Sequence, residues 1–143
     1  MVVALKRTTI ENMKLMIVDD HPQARTMTHE FLAAPDVTIC ECASGEEAVQ
    51  RADQFRPDWV IMDVHLTGMS GFKAAVEIQK VHPAARVIIV TADDQPYLYP
   101  LARSIGALGP VRKGGFLMRQ MLSRERRSAI SSSGPVRPTQ PSS

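Results

Sequence analysis

With 143 residues, 44% of them hydrophobic and 22% charged, the chain has the composition of one globular domain with a single core, which excludes collagen-like and wholly disordered classes. Seventeen Lys and Arg against fifteen Asp and Glu give a net charge of +2, too small to imply a nucleic-acid partner by itself. The charge is uneven, because residues 1–118 carry twelve basic and fourteen acidic side chains and residues 119–143 carry five and one.

Residues 1–12 read as an N-terminal extension. Lys6 and Arg7 stand where a signal peptide would begin, but Glu11, Asn12 and Lys14 interrupt the apolar centre it would need. No apolar run approaches the roughly 18 residues of a membrane span, so no membrane partner and a cytoplasmic location are expected. Five short apolar runs then alternate with segments of helical character. The first run, 15–18, precedes a helix over 22–33 with Pro22 at its first position. The second, 37–40, leads to Ser44, a candidate cap, followed by Glu46 and Glu47 at the favourable end of a second helix. The third, 59–62, precedes a helix over 72–81 that stops before Pro83. The fourth, 87–90, precedes the poorest helix, 96–105, where Pro100 would remove an internal donor. A weaker fifth run, 107–111, leads to a last helix over 115–127. From Ser128 the chain holds six serines and three prolines in its final sixteen residues, a disordered tail at 128–143.

Unbroken apolar strands separated by helices imply a parallel sheet covered on both faces. Five such units make a doubly wound α/β domain over residues 13–127. Cys40 and Cys42, two apart on one strand, share a face and are poorly placed to bridge each other; they read as reduced core residues.

In open parallel sheets, chemistry gathers beyond the carboxyl ends of the strands. There the sequence places Asp19 and Asp20 after strand one, Asp63 after strand three, Thr91 after strand four and Lys113 after strand five. Taken singly, Asp20 or Thr91 could cap a helix, Asp63 could brace a turn and Lys113 could be a solvated charge. Taken together, three carboxylates at one edge repel unless a cation lies among them, and Mg²⁺, which takes carboxylate oxygens and shares phosphate oxygens, resolves the repulsion. The set suits phosphoryl transfer.

The chain resembles the receiver domain of two-component response regulators over about residues 13–122. The matching pieces are Met16, Ile17, Val18, Asp19, Asp20 and His21; Ala43, Ser44, Gly45, Glu46, Glu47 and Ala48; the run from Pro57 and Asp58 through Asp63 to Gly68 and Gly71; Val90, Thr91 and Ala92; and Gly106, Ala107, Leu108 and Gly109 ahead of Lys113. The resemblance implies a flavodoxin-like fold with strand order 2-1-3-4-5. It implies that Asp63 accepts a phosphoryl group from a phosphohistidine on a sensor histidine kinase or histidine phosphotransfer protein. It further implies that Asp19, Asp20, Asp63 and the backbone carbonyl of His65 hold Mg²⁺, that Lys113 pairs with a phosphoryl oxygen, and that the Thr91 hydroxyl swings toward another. Asp20 is the expected direct ligand and Asp19 a ligand through water. Trp59, four residues before Asp63, is expected to respond to Mg²⁺. The histidines His21, His29, His65 and His82 show no ligand spacing and are given no metal.

Several positions depart from the family pattern. Thr67 stands where a proline is usual and Ser70 where an aspartate is common, changes expected to alter only loop stiffness. Pro110 replaces the aromatic residue that turns with Thr91, and it must lie on an edge or an irregular strand. Gly114 replaces a proline. The expectation is a stand-alone receiver, chemotaxis-regulator-like and not an enzyme, that signals by phosphorylation-dependent contact with a downstream protein. The alternative is a degenerate receiver acting as a phosphorylation-independent interaction module. Nucleic acid is not an expected partner: Arg119, Arg124, Arg126, Arg127 and Arg137 read as a solvated helix end and linker, without interleaved aromatics for base stacking.

Overall fold

The computed structural model describes residues 12–93, 95–113 and 120. The expected fifth helix (apart from Gln120), the tail, Gly114 and all but the last residue of the N-terminal extension lie outside the described residues. The element order is β1 (Met13–Val18), α1 (Pro22–Leu32), β2 (Val37–Cys42), α2 (Gly45–Phe55), β3 (Trp59–Asp63), α3 (Gly71–Val81), β4 (Arg86–Thr91), α4 (Leu98–Ser104) and β5 (Leu108–Arg112). The strands form one parallel sheet in the order β2-β1-β3-β4-β5, as the unbroken apolar runs require. No helix among the described residues is long and apolar enough to cross a membrane.

Successive strand residues point to opposite faces, and both faces are apolar. Met16, Val18, Val60, Met62, Val87 and Ile89 pack with Ala48 and Ala52 of α2, Ala74, Ala75 and Ile78 of α3, and Leu98 and Ala102 of α4. Leu15, Ile17, Trp59, Ile61, Ile88 and Val90 pack with Phe31 and Leu32 of α1. The doubly wound arrangement therefore rests on two separate cores. Cys40 and Cys42 are free and buried, both in the first of them.

Local chemistry sets the helix starts. Ser44 Oγ accepts from Glu47 N at 3.0 Å, while the Glu47 carboxylate accepts from Ala43 N at 3.1 Å, an exchange close to a capping box. Ser70 is the cap of α3, its Oγ accepting from Lys73 N at 3.2 Å; its substitution for aspartate thus keeps a helix start rather than merely changing loop stiffness. The α4 helix begins at Leu98, two residues later than the sequence pattern suggests. Pro100 consequently falls in the first turn, where its missing N–H would have had no intrahelical partner, and it removes no internal hydrogen bond.

Pro110 lies on β5, an edge strand. The register slips between Ile88 and Val90, whose partners are Leu108 and Val111, so one extra residue is accommodated beside the proline. The Gly109–Pro110 peptide is cis and Gly109 has φ +98. A Cβ there would stand 2.5 Å from the Ile89 carbonyl oxygen, which makes glycine necessary on both counts. Both expectations for Pro110, edge position and irregularity, are met.

Candidate functional site

The register brings the site together. Val18 aligns with Met62, Asp63 with Val90, and Thr91 with Arg112, so the residues just beyond these pairs emerge side by side at the carboxyl edge. Asp19, Asp63 and Thr91 are buried there. Close packing at this edge extends to the next helix: a Cβ on Gly71, the first residue of α3, would collide with the Asp63 carbonyl oxygen.

Lys113 is the resident cation. Its Nζ lies 2.7 Å from Asp63 Oδ2 and 3.0 Å from Asp19 Oδ2, and its backbone N donates to the Thr91 carbonyl at 3.1 Å. It is therefore no solvated loop charge. Burial would lower the Lys113 pKa, but the two ion pairs outweigh it and raise it. Burial pushes the Asp63 carboxyl up, against the pull of Lys113 in the other direction. The remaining Asp63 oxygen, Oδ1, accepts from His65 N at 3.2 Å, the brace of a turn as well as part of a cluster.

The acidic pair is differently placed. Asp19 Oδ1 accepts from His21 N at 2.9 Å, so both Asp19 oxygens have partners. Asp20 Oδ2 accepts from Thr67 N at 3.1 Å and from Thr67 Oγ1 at 2.8 Å. Burial would raise the Asp20 pKa, yet the two Thr67 bonds and the nearby His21 ring prevail and lower it. Like-charge repulsion does not govern this residue. Asp20 Oδ1 and Asp63 Oδ2 are buried and accept no hydrogen bond of good geometry, although His21 Nδ1 lies 2.9 Å from the first and Lys113 from the second.

Among the described residues, Asp19, Asp20, His21 and Asp63 form a group whose ligand atoms lie within 4.8 Å of one another. Hard oxygen donors, two of them without hydrogen bonds in buried space, fit a divalent cation such as Mg²⁺. Two corrections follow for the sequence reading. His21 belongs at the site, and its position directly after two strand-end carboxylates was the available signal. Thr67 is no passive loop residue, since it grips Asp20 from 47 residues away; nothing local in the sequence signals that contact.

Thr91 is present but engaged elsewhere. Its hydroxyl donates to the Asp93 carbonyl at 2.8 Å and accepts from Asp93 N at 3.1 Å, a local turn that caps no helix. Trp59 stands at the amino end of β3, its ring under the Arg86 guanidinium at 4.7 Å, and four residues at roughly 3.3 Å each separate it from Asp63. The structure thus sets it at the far end of the strand from the cation cluster.

Comparison with known proteins agrees with this geometry. The sequence profile described as "Response regulator receiver domain" matches residues 15–123. The chain is 35% identical over 107 residues to the response regulator GacA of Pseudomonas syringae pv. syringae, covering 73% of this chain and 50% of that protein. It is 33% identical over 102 residues to the DNA-binding transcriptional activator EvgA of Escherichia coli K12, covering 71% and 50%. The chain thus spans about half the length of these curated relatives. A LuxR-family two-component response regulator from Aurantimonas superposes with a TM-score of 0.72 at 28% identity, covering 80% of this chain and 85% of that one. Sheet order, strand-end carboxylates and sequence similarity converge, and the chain belongs to the family of response regulator receiver domains.

Proposed function

We propose that this receiver takes a phosphoryl group on Asp63 from a phosphohistidine of a sensor kinase or phosphotransfer protein. The observation that carries this is the Asp63 carboxylate, buried at the end of β3 and held by Lys113 Nζ at 2.7 Å. An Asp63 carboxylate oxygen attacks phosphorus; the P–O bond forms as the P–N bond breaks, and the imidazole nitrogen leaves with the bonding pair. Asp63 becomes an acyl phosphate. Lys113, already between Asp19 and Asp63, pairs with a phosphoryl oxygen as it arrives. Asp19, Asp20, Asp63 and the His65 backbone carbonyl would hold Mg²⁺, which neutralises charge on the transferring group when bound.

Read-out begins at Thr91. To reach a phosphoryl oxygen its hydroxyl must leave Asp93, so two hydrogen bonds in the β4–α4 loop are exchanged for one to the new charge. That exchange converts chemistry into a loop rearrangement. The receiver unit is taken as residues 13–127. Its work is as a phosphorylated partner in the cytoplasm rather than as an enzyme, with a downstream protein contact and no nucleic acid. Incubation with acetyl phosphate and Mg²⁺ followed by mass spectrometry should show a single phosphoryl adduct on the wild type and none on Asp63→Asn. A labelled Asp63→Asn protein would overturn the assignment.

A further inference from the structure

Thr67 lies in the loop after β3, yet both of its donors cross to the end of β1. Its backbone N and its Oγ1 reach the same oxygen, Asp20 Oδ2, at 3.1 and 2.8 Å. The other oxygen, Asp20 Oδ1, is buried and accepts no hydrogen bond of good geometry; it faces the exposed His21 ring at 2.9 Å within the cluster formed with Asp19, His21 and Asp63. The loop is pinned on its far side too: Glu46 Oε1 accepts from Met69 N at 3.2 Å, and Gly68, at φ +82, packs against the same carboxylate. A fixed loop gives Thr67 a fixed position from which to orient Asp20.

We propose that Thr67 is a positioning residue for the cation site, holding one Asp20 oxygen so that the other is presented to the metal. The inference rests on the reading of Asp20 as a metal ligand. Carboxylates that bind a metal through one oxygen are oriented by donors on the other, and such donors influence affinity strongly. Here they also join the two halves of the site, because the loop that carries Thr67 carries His65 as well. Thr67 is exposed, so replacing its hydroxyl does not disturb the core.

Calorimetric titration of Mg²⁺ into the full chain at fixed pH tests this. Thr67→Val keeps the backbone bond and loses the hydroxyl; it should bind about tenfold more weakly, whereas Thr67→Ser, which keeps the hydroxyl, should stay within about twofold of wild type. Thr67→Ala, a second hydroxyl-free variant, should match Thr67→Val, and both metal-free proteins should still unfold in one cooperative transition, with at most the small loss of melting temperature that one exposed hydrogen bond supplies. Wild-type affinity in Thr67→Val and Thr67→Ala, or a Thr67→Ser as weak as they are, would remove the role of Thr67 while leaving the metal site intact. Absence of saturable Mg²⁺ binding by the wild type would instead overturn the reading of the site, and this inference with it.

Discussion

Burying the Asp63 carboxylate has a measurable cost, which the Lys113 ion pair only partly offsets. Burial raises its pKa in the folded protein, so between its unfolded value, about 3.9, and the raised folded value the native state binds more protons than the unfolded one. Stability from this group is therefore fully present below the unfolded pKa and is lost as pH rises through the folded pKa. Asp63→Asn, which cannot ionise, should be more stable than wild type at pH 7, with the difference shrinking as pH falls toward the unfolded value. Urea unfolding at pH 7 and near the unfolded pKa checks this. The acidic pair makes a second case. Asp19 has both oxygens engaged, by His21 N and the mostly buried Lys113, whereas Asp20 Oδ1 faces only the exposed His21 ring at 2.9 Å and accepts no hydrogen bond of good geometry. Asp20→Asn should accordingly weaken Mg²⁺ by roughly tenfold or more, and Asp19→Asn by less, since a ligand acting through water contributes less than a direct one. Calorimetry on the two variants separates them, and equal losses would show that the two carboxylates share the role.

At the scale of elements, β5 bears on the proposed read-out, because Pro110 stands on it where the family pattern has an aromatic residue. An aromatic ring moving from solvent to interior would contribute on the order of 1.5 to 3 kcal/mol to one state. Pro110, with fixed φ, has no comparable rotamer change. Hydrogen exchange of the free and beryllofluoride-bound protein should differ mainly around Thr91, Ala92 and Asp93, with little change across Leu108–Arg112; a large change in β5 would show that another element carries the switch. The same elements show what the sequence could and could not reveal. The central strands β1, β3 and β4 were legible because they are buried on both faces and read as unbroken apolar runs. The edges were weaker: β2 extends to Cys42 through the half-exposed Glu41, and β5 is only partly buried. Strand-end residues Asp19, Asp20, Asp63, Thr91 and Lys113 were legible because parallel topology sends them to one edge. Thr67 and His21 were not assigned, since their roles depend on side-chain reach between loops. Pro100 was misjudged because a helix boundary, two residues in error, changes a harmful proline into a harmless one.

For the molecule as a whole, two cores on either side of one sheet leave few routes to the interior short of unfolding. Burial, with Cys40 adding to it, pushes the Cys42 thiol up to about 12, so thiolate is scarce at neutral pH and both cysteines are shielded. A disulfide reagent should label them only as fast as the protein opens, and labelling should become immediate in denaturant; rapid labelling of native protein would show that the β2 edge opens locally. The position of Trp59 has a different consequence. The chain has a single tryptophan, clamped beneath Arg86 at the pole of the sheet remote from the chemistry. Its emission is thus an optical gauge of whether the core on the α1 face of the sheet is intact, insulated from ligand chemistry at the opposite pole. In a fluorescence-detected denaturation curve, a bound cation would leave the native baseline flat and move only the midpoint, by mass action. One intrinsic chromophore then reports binding as a displacement along the denaturant axis, with no spectral contribution of its own.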